Sequence, residues 1–195
     1  HGPVNVVFFD CNKAETKNIA EEKFGITKFP KILVYSTNAD KTPDSALEIS
    51  FTTDADDIVN MVKETEIKDN LREVSDSVLS SVILTNALQL KKVTLVYWYE
   101  GNEEEVPLSF KALSSNPKFE NKFEFIALKN PGKQTIQQFQ VPRLPVIIGG
   151  LPPPEGMESA DPEQQNSIRT MVFQGKIDDY YELYQYNIGV LEMTF

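Results

Sequence analysis

Two short apolar strands in this chain start directly after an aromatic or aliphatic residue and a proline: Phe29-Pro30-Lys31-Ile32-Leu33-Val34-Tyr35 and Leu144-Pro145-Val146-Ile147-Ile148. The residue before a proline is pushed out of the helical region, so the chain must turn extended before each strand. A helix-like stretch precedes each proline. A second apolar run and another helix-like stretch follow it. One unit of helix, X-Pro, strand, strand and helix is therefore written twice, and 195 residues are enough for about two ordinary domains.

The first copy is preceded by Val4 to Phe9, apolar and β-rich, which suits a central strand covered on both faces. Ala14 to Phe24 reads as a helix with Ile19, Ala20 and Phe24 on one side, ended by Gly25. Ile32 to Tyr35 is a strand, Thr37 to Ser45 a turn, and Leu47 to Phe51 an alternating, half-exposed strand. Thr53-Asp54-Ala55-Asp56 opens a helix with Ile58, Val59 and Val62 as its apolar face. The charged segment from Lys63 to Asn70 marks the boundary, giving domains at 1–66 and 67–195.

In the second copy Ser75 caps a helix carrying Val78, Leu79, Val82, Ile83 and Leu84, and Val93 to Tyr99 is a strong strand. Lys111 to Asn116 is ill-defined helix or loop. Phe123 to Leu128 is a strand, Gln134 to Phe139 a short helix, and Pro145 to Ile148 a strand closed by Gly149-Gly150. Residues 151–167, with Pro152-Pro153-Pro154, form an insertion before the strand Ile168 to Phe173. Ile177 to Tyr186 is a tyrosine-rich amphipathic helix, for which core packing and a binding surface are both open. Asn187 to Phe195 is a tail whose apolar residues pack.

Composition removes several classes of function. The longest uncharged apolar runs are strand-sized, far short of the roughly 20 residues of a membrane helix. No signal-peptide pattern is legible. The net charge of −10, with no basic stripe along the sequence, argues against phosphate-backbone binding. Solubility is its plain reading, and weak calcium binding its sharper one. Cys11 is the only cysteine, so no internal disulfide forms, and it reads as a small buried hydrophobe with Lys13 as the only nearby cation. His1 and Cys11 make no zinc set, and Glu103-Glu104-Glu105 lacks the spaced oxygens and glycine turn of a calcium loop. No Ser/His/Asp set is available, and no Gly-Lys-Ser/Thr follows Gly149-Gly150. No cofactor is expected.

Phe9-Asp10-Cys11-Asn12-Lys13, followed after a helix by Phe24-Gly25-Ile26-Thr27-Lys28-Phe29-Pro30-Lys31-Ile32, resembles the rear half of a thioredoxin-like domain of the protein disulfide isomerase family. The second copy is similar to a complete but divergent domain of the same kind, with Arg143-Leu144-Pro145 at the proline turn. The resemblance implies an α/β fold of tandem thioredoxin-like domains, each a central mixed sheet flanked by helices. It implies cis bonds before Pro30 and Pro145. It also places Glu103 and Val106 roughly where the family carries its cysteine pair, so thiol–disulfide exchange is excluded there.

The function this resemblance implies is a non-catalytic chaperone-type module. It would bind unfolded clients or partner proteins during protein folding in the endoplasmic reticulum lumen. The candidate binding face unites Trp98, Tyr99, Leu144 and Pro145. The alternative is the accessory part of a disulfide oxidoreductase or J-domain co-chaperone whose Cys-x-x-Cys lies upstream.

Overall fold

The computed structural model describes residues 5–36, 40–50, 52–67, 70–101, 106–153 and 169–195. The chain divides into two units, Val4–Lys68 and Asp69–Phe195. In the first, helix α1 (Ala14–Phe24) ends on Gly25, which holds φ at 63°. Its N–H donates to the Glu21 carbonyl, and the next N–H, of Ile26, donates to that of Ala20. A side chain at Gly25 would be strained by that φ and would stand 3.3 Å from the Pro43 ring. Strands β1 (Ile32–Tyr35) and β2 (Ala46–Ile49) pair antiparallel, Ile32 opposite Ile49 and Tyr35 opposite Ala46. Helix α2 (Ala55–Glu66) starts where the Asp54 carboxylate accepts the Asp56 N–H at 2.9 Å.

Three expectations fail in this unit. Val6 to Phe9 is no strand: its four side chains are 74%, 71%, 92% and 45% exposed. Among the described residues the only ladder here joins β1 to β2, so these strand-formers have nothing to pair with. Val59 faces solvent instead of joining the apolar face of α2. Cys11 is half-buried rather than a core residue, with its Sγ 3.7 Å from the Phe9 carbonyl oxygen.

The second unit runs β3 (Arg72–Glu73), α3 (Asp76–Leu88), β4 (Val93–Tyr99), α4 (Leu108–Ser114), β5 (Phe123–Lys129), α5 (Lys133–Gln138), β6 (Val146–Leu151), β7 (Arg169–Val172) and α6 (Tyr180–Thr194). The sheet order is β3-β5-β4-β6-β7. β3, β5 and β4 are parallel, β6 is antiparallel to β4, and β7 is antiparallel to β6. Every residue of β4 is buried. Val93, Leu95, Tyr97 and Tyr99 face one layer, with Phe110, Leu113, Leu183 and Val190 of α4 and α6. Val96 and Trp98 face the other, with Leu79 and Ile83 of α3 and Phe139. A strand covered on both sides by helices must be apolar throughout, which is why Val93 to Tyr99 carries no alternation.

The structure redraws three boundaries. β6 continues through Gly149-Gly150 to Leu151. A side chain at Gly149 would come within 3.2 Å of Leu95 Cδ2 and 3.4 Å of the Tyr186 hydroxyl, so glycine here lets helix and sheet approach. The tail from Asn187 is the second half of α6, since Leu183, Asn187 and Val190 recur at helical spacing on the buried side. Lys111 belongs to a defined helix, α4. Of the insertion, residues 154–167 lie outside the described residues, and so does Ile168, the expected first residue of the next strand.

The buried Asn86 amide donates to the Thr94 hydroxyl at 3.0 Å, tying α3 to β4. Asn86→Ala leaves that hydroxyl in the core without its donor. We expect urea denaturation to show a loss of about 1–3 kcal/mol, the usual cost of an orphaned buried polar group.

Candidate functional site

The region singled out by sequence lies where β4 ends and β6 begins, with Trp98 opposite Val146 in the ladder. β4 is the middle strand of the sheet, so its side chains go alternately to the two helical layers. Trp98 is 0% exposed and packs on Phe139 with ring centroids 5.3 Å apart. Its indole N–H has no hydrogen-bond partner among the described residues. Tyr99 is buried on the opposite side, stacked on Tyr97 at 5.2 Å. Burial pushes the Tyr99 phenol above its ordinary range, and the nearby Glu73 carboxylate adds to the shift.

This corrects the expected four-residue face. Trp98 and Tyr99 are core residues of opposite layers, and neither belongs to an exposed patch. The surface there consists of Pro142, Arg143 and Pro145, all exposed, around Leu144, which is half-buried against the Trp98 layer. Sequence reasoning passed over Pro142; its proline spacing ahead of Pro145 was the available signal. The Leu144-Pro145 bond is cis, and so is Phe29-Pro30 in the other unit.

Beside this turn the chain leaving β4 is pinned to the chain leaving β5. The Asn130 N–H donates to the Tyr99 carbonyl at 2.8 Å, and the Asn130 side chain accepts the Gly101 N–H at 3.0 Å. Of the two positions aligned with the family's cysteines, Val106 is half-buried against the core. Glu103 lies outside the described residues. Among the described residues no cluster of His, Cys, Asp and Glu could hold a metal ion, and no helix is long and apolar enough to cross a membrane.

The tyrosines of α6 divide between core and solvent. Tyr180, Tyr184 and Tyr186 pack against the core, and Tyr181 is exposed. Burial raises the Tyr180 phenol despite the Asn116 amide donating to it at 2.9 Å. Tyr186 lies edge-on to Phe173, its hydroxyl donating to the Met171 carbonyl at 3.4 Å, and burial pushes it up to about 12.

The strand order β3-β5-β4-β6-β7, in which β6 alone runs against the other four, and a cis-proline leading into β6 define the fold. The Asp69–Phe195 unit is thioredoxin-like. No family model and no curated protein matches the chain. Solved structures similar to it include crystal form I of ERdj5, at 14% identity and a TM-score of 0.48 over 95% of this chain and 23% of that one. Full-length ERdj5 gives 14% identity and 0.48 over 94% and 24%. The zinc-bound form of human ERp44 gives 14% and 0.42 over 93% and 41%. This chain thus spans about a quarter of the ERdj5 chains and two-fifths of the ERp44 chain.

The Tyr186 shift has a stability consequence of definite sign. The folded state favours the neutral phenol, whereas the unfolded chain ionises at the ordinary value of 10.0. The stabilisation is whole below pH 10 and is lost as pH rises toward about 12. Urea denaturation at stepped alkaline pH should show that loss in the native chain and a smaller one in Tyr186→Phe; equal losses would mean the phenol titrates normally.

Proposed function

We propose that this chain is a thioredoxin-like module of the protein disulfide isomerase type. It binds unfolded clients or partner proteins in the endoplasmic reticulum lumen and performs no thiol–disulfide exchange of its own. The observation that carries this reading is the exposed Pro142-Arg143-Leu144-Pro145 turn at the head of β6. It offers two proline rings, a partly open leucine and a guanidinium on a rigid scaffold, chemistry suited to extended apolar segments of non-native chains. Cys11 is the single thiol of the chain, and exchange by a dithiol site needs two.

Leu144→Asp tests the reading, because the side chain is partly open and a carboxylate there can reach water. Binding to a reduced and alkylated unfolded protein should weaken about tenfold, the scale of losing one well-placed apolar anchor, with the circular dichroism spectrum unchanged. Wild-type binding by a folded variant removes the turn as the site. Trp98 is unsuited to such a test, since a charge at a fully buried position unfolds the domain.

The exposed Val6–Phe9 run favours a second reading. Consecutive exposed strand-formers in a unit whose described ladder has two strands are what a larger sheet would cover. On this reading the Val4–Lys68 unit is the supporting part of a redox domain whose Cys-x-x-Cys lies upstream, in an oxidoreductase or a J-domain co-chaperone. Intact mass and thiol titration of the natural protein separate the two. Additional cysteines in a Cys-x-x-Cys, with disulfide-reducing activity, establish the second reading; a single thiol and no activity leaves binding.

A further inference from the structure

The chain carries a net charge of −10, yet the end of the sheet opposite the Pro142–Pro145 turn gathers lysines. Val93 lies opposite Phe123 in the parallel ladder, and its N–H donates to the Lys122 carbonyl at 2.9 Å. That register sets Lys92 beside Lys122, at the starts of β4 and β5. Lys91 precedes it with φ at 52°, a left-handed conformation that glycine or asparagine would adopt more easily. Two lysine heads at this end are held over aromatic rings. Lys122 Nζ lies 4.1 Å from the centroid of Phe195, and Lys118 Nζ lies 5.5 Å from that of Tyr184 and 3.3 Å from its hydroxyl.

Large apolar side chains stand exposed on the segments that carry these cations and their aromatic partners. Leu90, in the turn into β4, is 56% exposed, and Met193, near the end of α6, is 62% exposed. Neither contributes to the core of the domain. Glu120 and Glu192 are the acidic residues on these same segments.

We propose that this pole, built on Lys92, Lys118, Lys122, Leu90 and Met193, is a docking surface for an acidic segment of a partner protein that also carries aliphatic or aromatic side chains. Charge complementarity selects that occupant. At physiological salt the screening length is about 8 Å, so a short acidic segment seated on the pole feels the local lysines and little of the remaining surface. An extended polyanion, whether a lipid bilayer or a nucleic acid, also meets the acidic remainder of the chain and is repelled by it. A second copy brings another −10. The exposed leucine and methionine require apolar groups in the partner, and methionine adapts readily to varied ones.

The test is fluorescence anisotropy of the full chain with a labelled short peptide alternating glutamate and phenylalanine. Controls are the same peptide with serine for phenylalanine or lysine for glutamate, and vesicles of mixed neutral and anionic lipid. The acidic-apolar peptide should bind, both peptide controls should bind at least about tenfold more weakly, and added salt should weaken the complex. Lys92→Glu with Lys122→Glu should abolish binding. Should charge reversal unfold the domain, Lys92→Ala with Lys122→Ala and, separately, Leu90→Ser should each reduce it by about tenfold. Leu144→Asp should leave it intact, which separates this surface from the client-binding turn. Equal binding by all peptides, unaltered binding by folded lysine variants, or binding to vesicles and not to the peptide would overturn the proposal.

Discussion

The Asp69–Phe195 unit depends on the burial of β4 from both sides. A middle strand sandwiched between α3 on one face and α4 and α6 on the other has no solvent-facing residue. That single condition accounts for the uninterrupted apolar sequence of β4, for the placement of the large aromatics, and for the glycine in β6 that lets α6 come close to the sheet. It also leaves the loops at the two ends of β4, rather than β4 itself, to meet water.

The condition explains what was legible in advance. Long apolar or periodic runs with clear stops, such as Val93–Tyr99, Ala14–Phe24 and Ile32–Tyr35, were readable, and so was the proline turn before each second strand. Errors arose where a local signal competed with a tertiary one. Gly149-Gly150 reads as a stop in isolation, but a close helix makes it the middle of a strand. Asn187 and Gly189 look like the start of a tail, yet the packing of Leu183 and Val190 carries the helix through them.

The candidate site was half legible, for a related reason. The proline turn announced its position. Which neighbours were exposed depended on strand order, which one sequence does not state. Trp98 and Tyr99 are adjacent in sequence, so a patch containing both is natural on paper. In a pleated strand adjacent residues point apart, and in a middle strand both directions lead inward. The lysines at the opposite end were illegible for the converse reason: they are scattered along an acidic chain and meet only through the register of β4 with β5.

The two-stranded ladder of the Val4–Lys68 unit has a thermodynamic consequence. β1 is half-buried along its whole length, and among the described residues only Ala20 and Ile49 of that unit are buried apolar residues, whereas the sheet of the other unit carries an apolar cluster on each face. Amide protons of β1 and β2 therefore exchange by local openings of small free energy, while those of β4 and β5 await global unfolding. The smaller core of the Val4–Lys68 unit thus sets its local opening at a lower free energy than that of the five-stranded sheet.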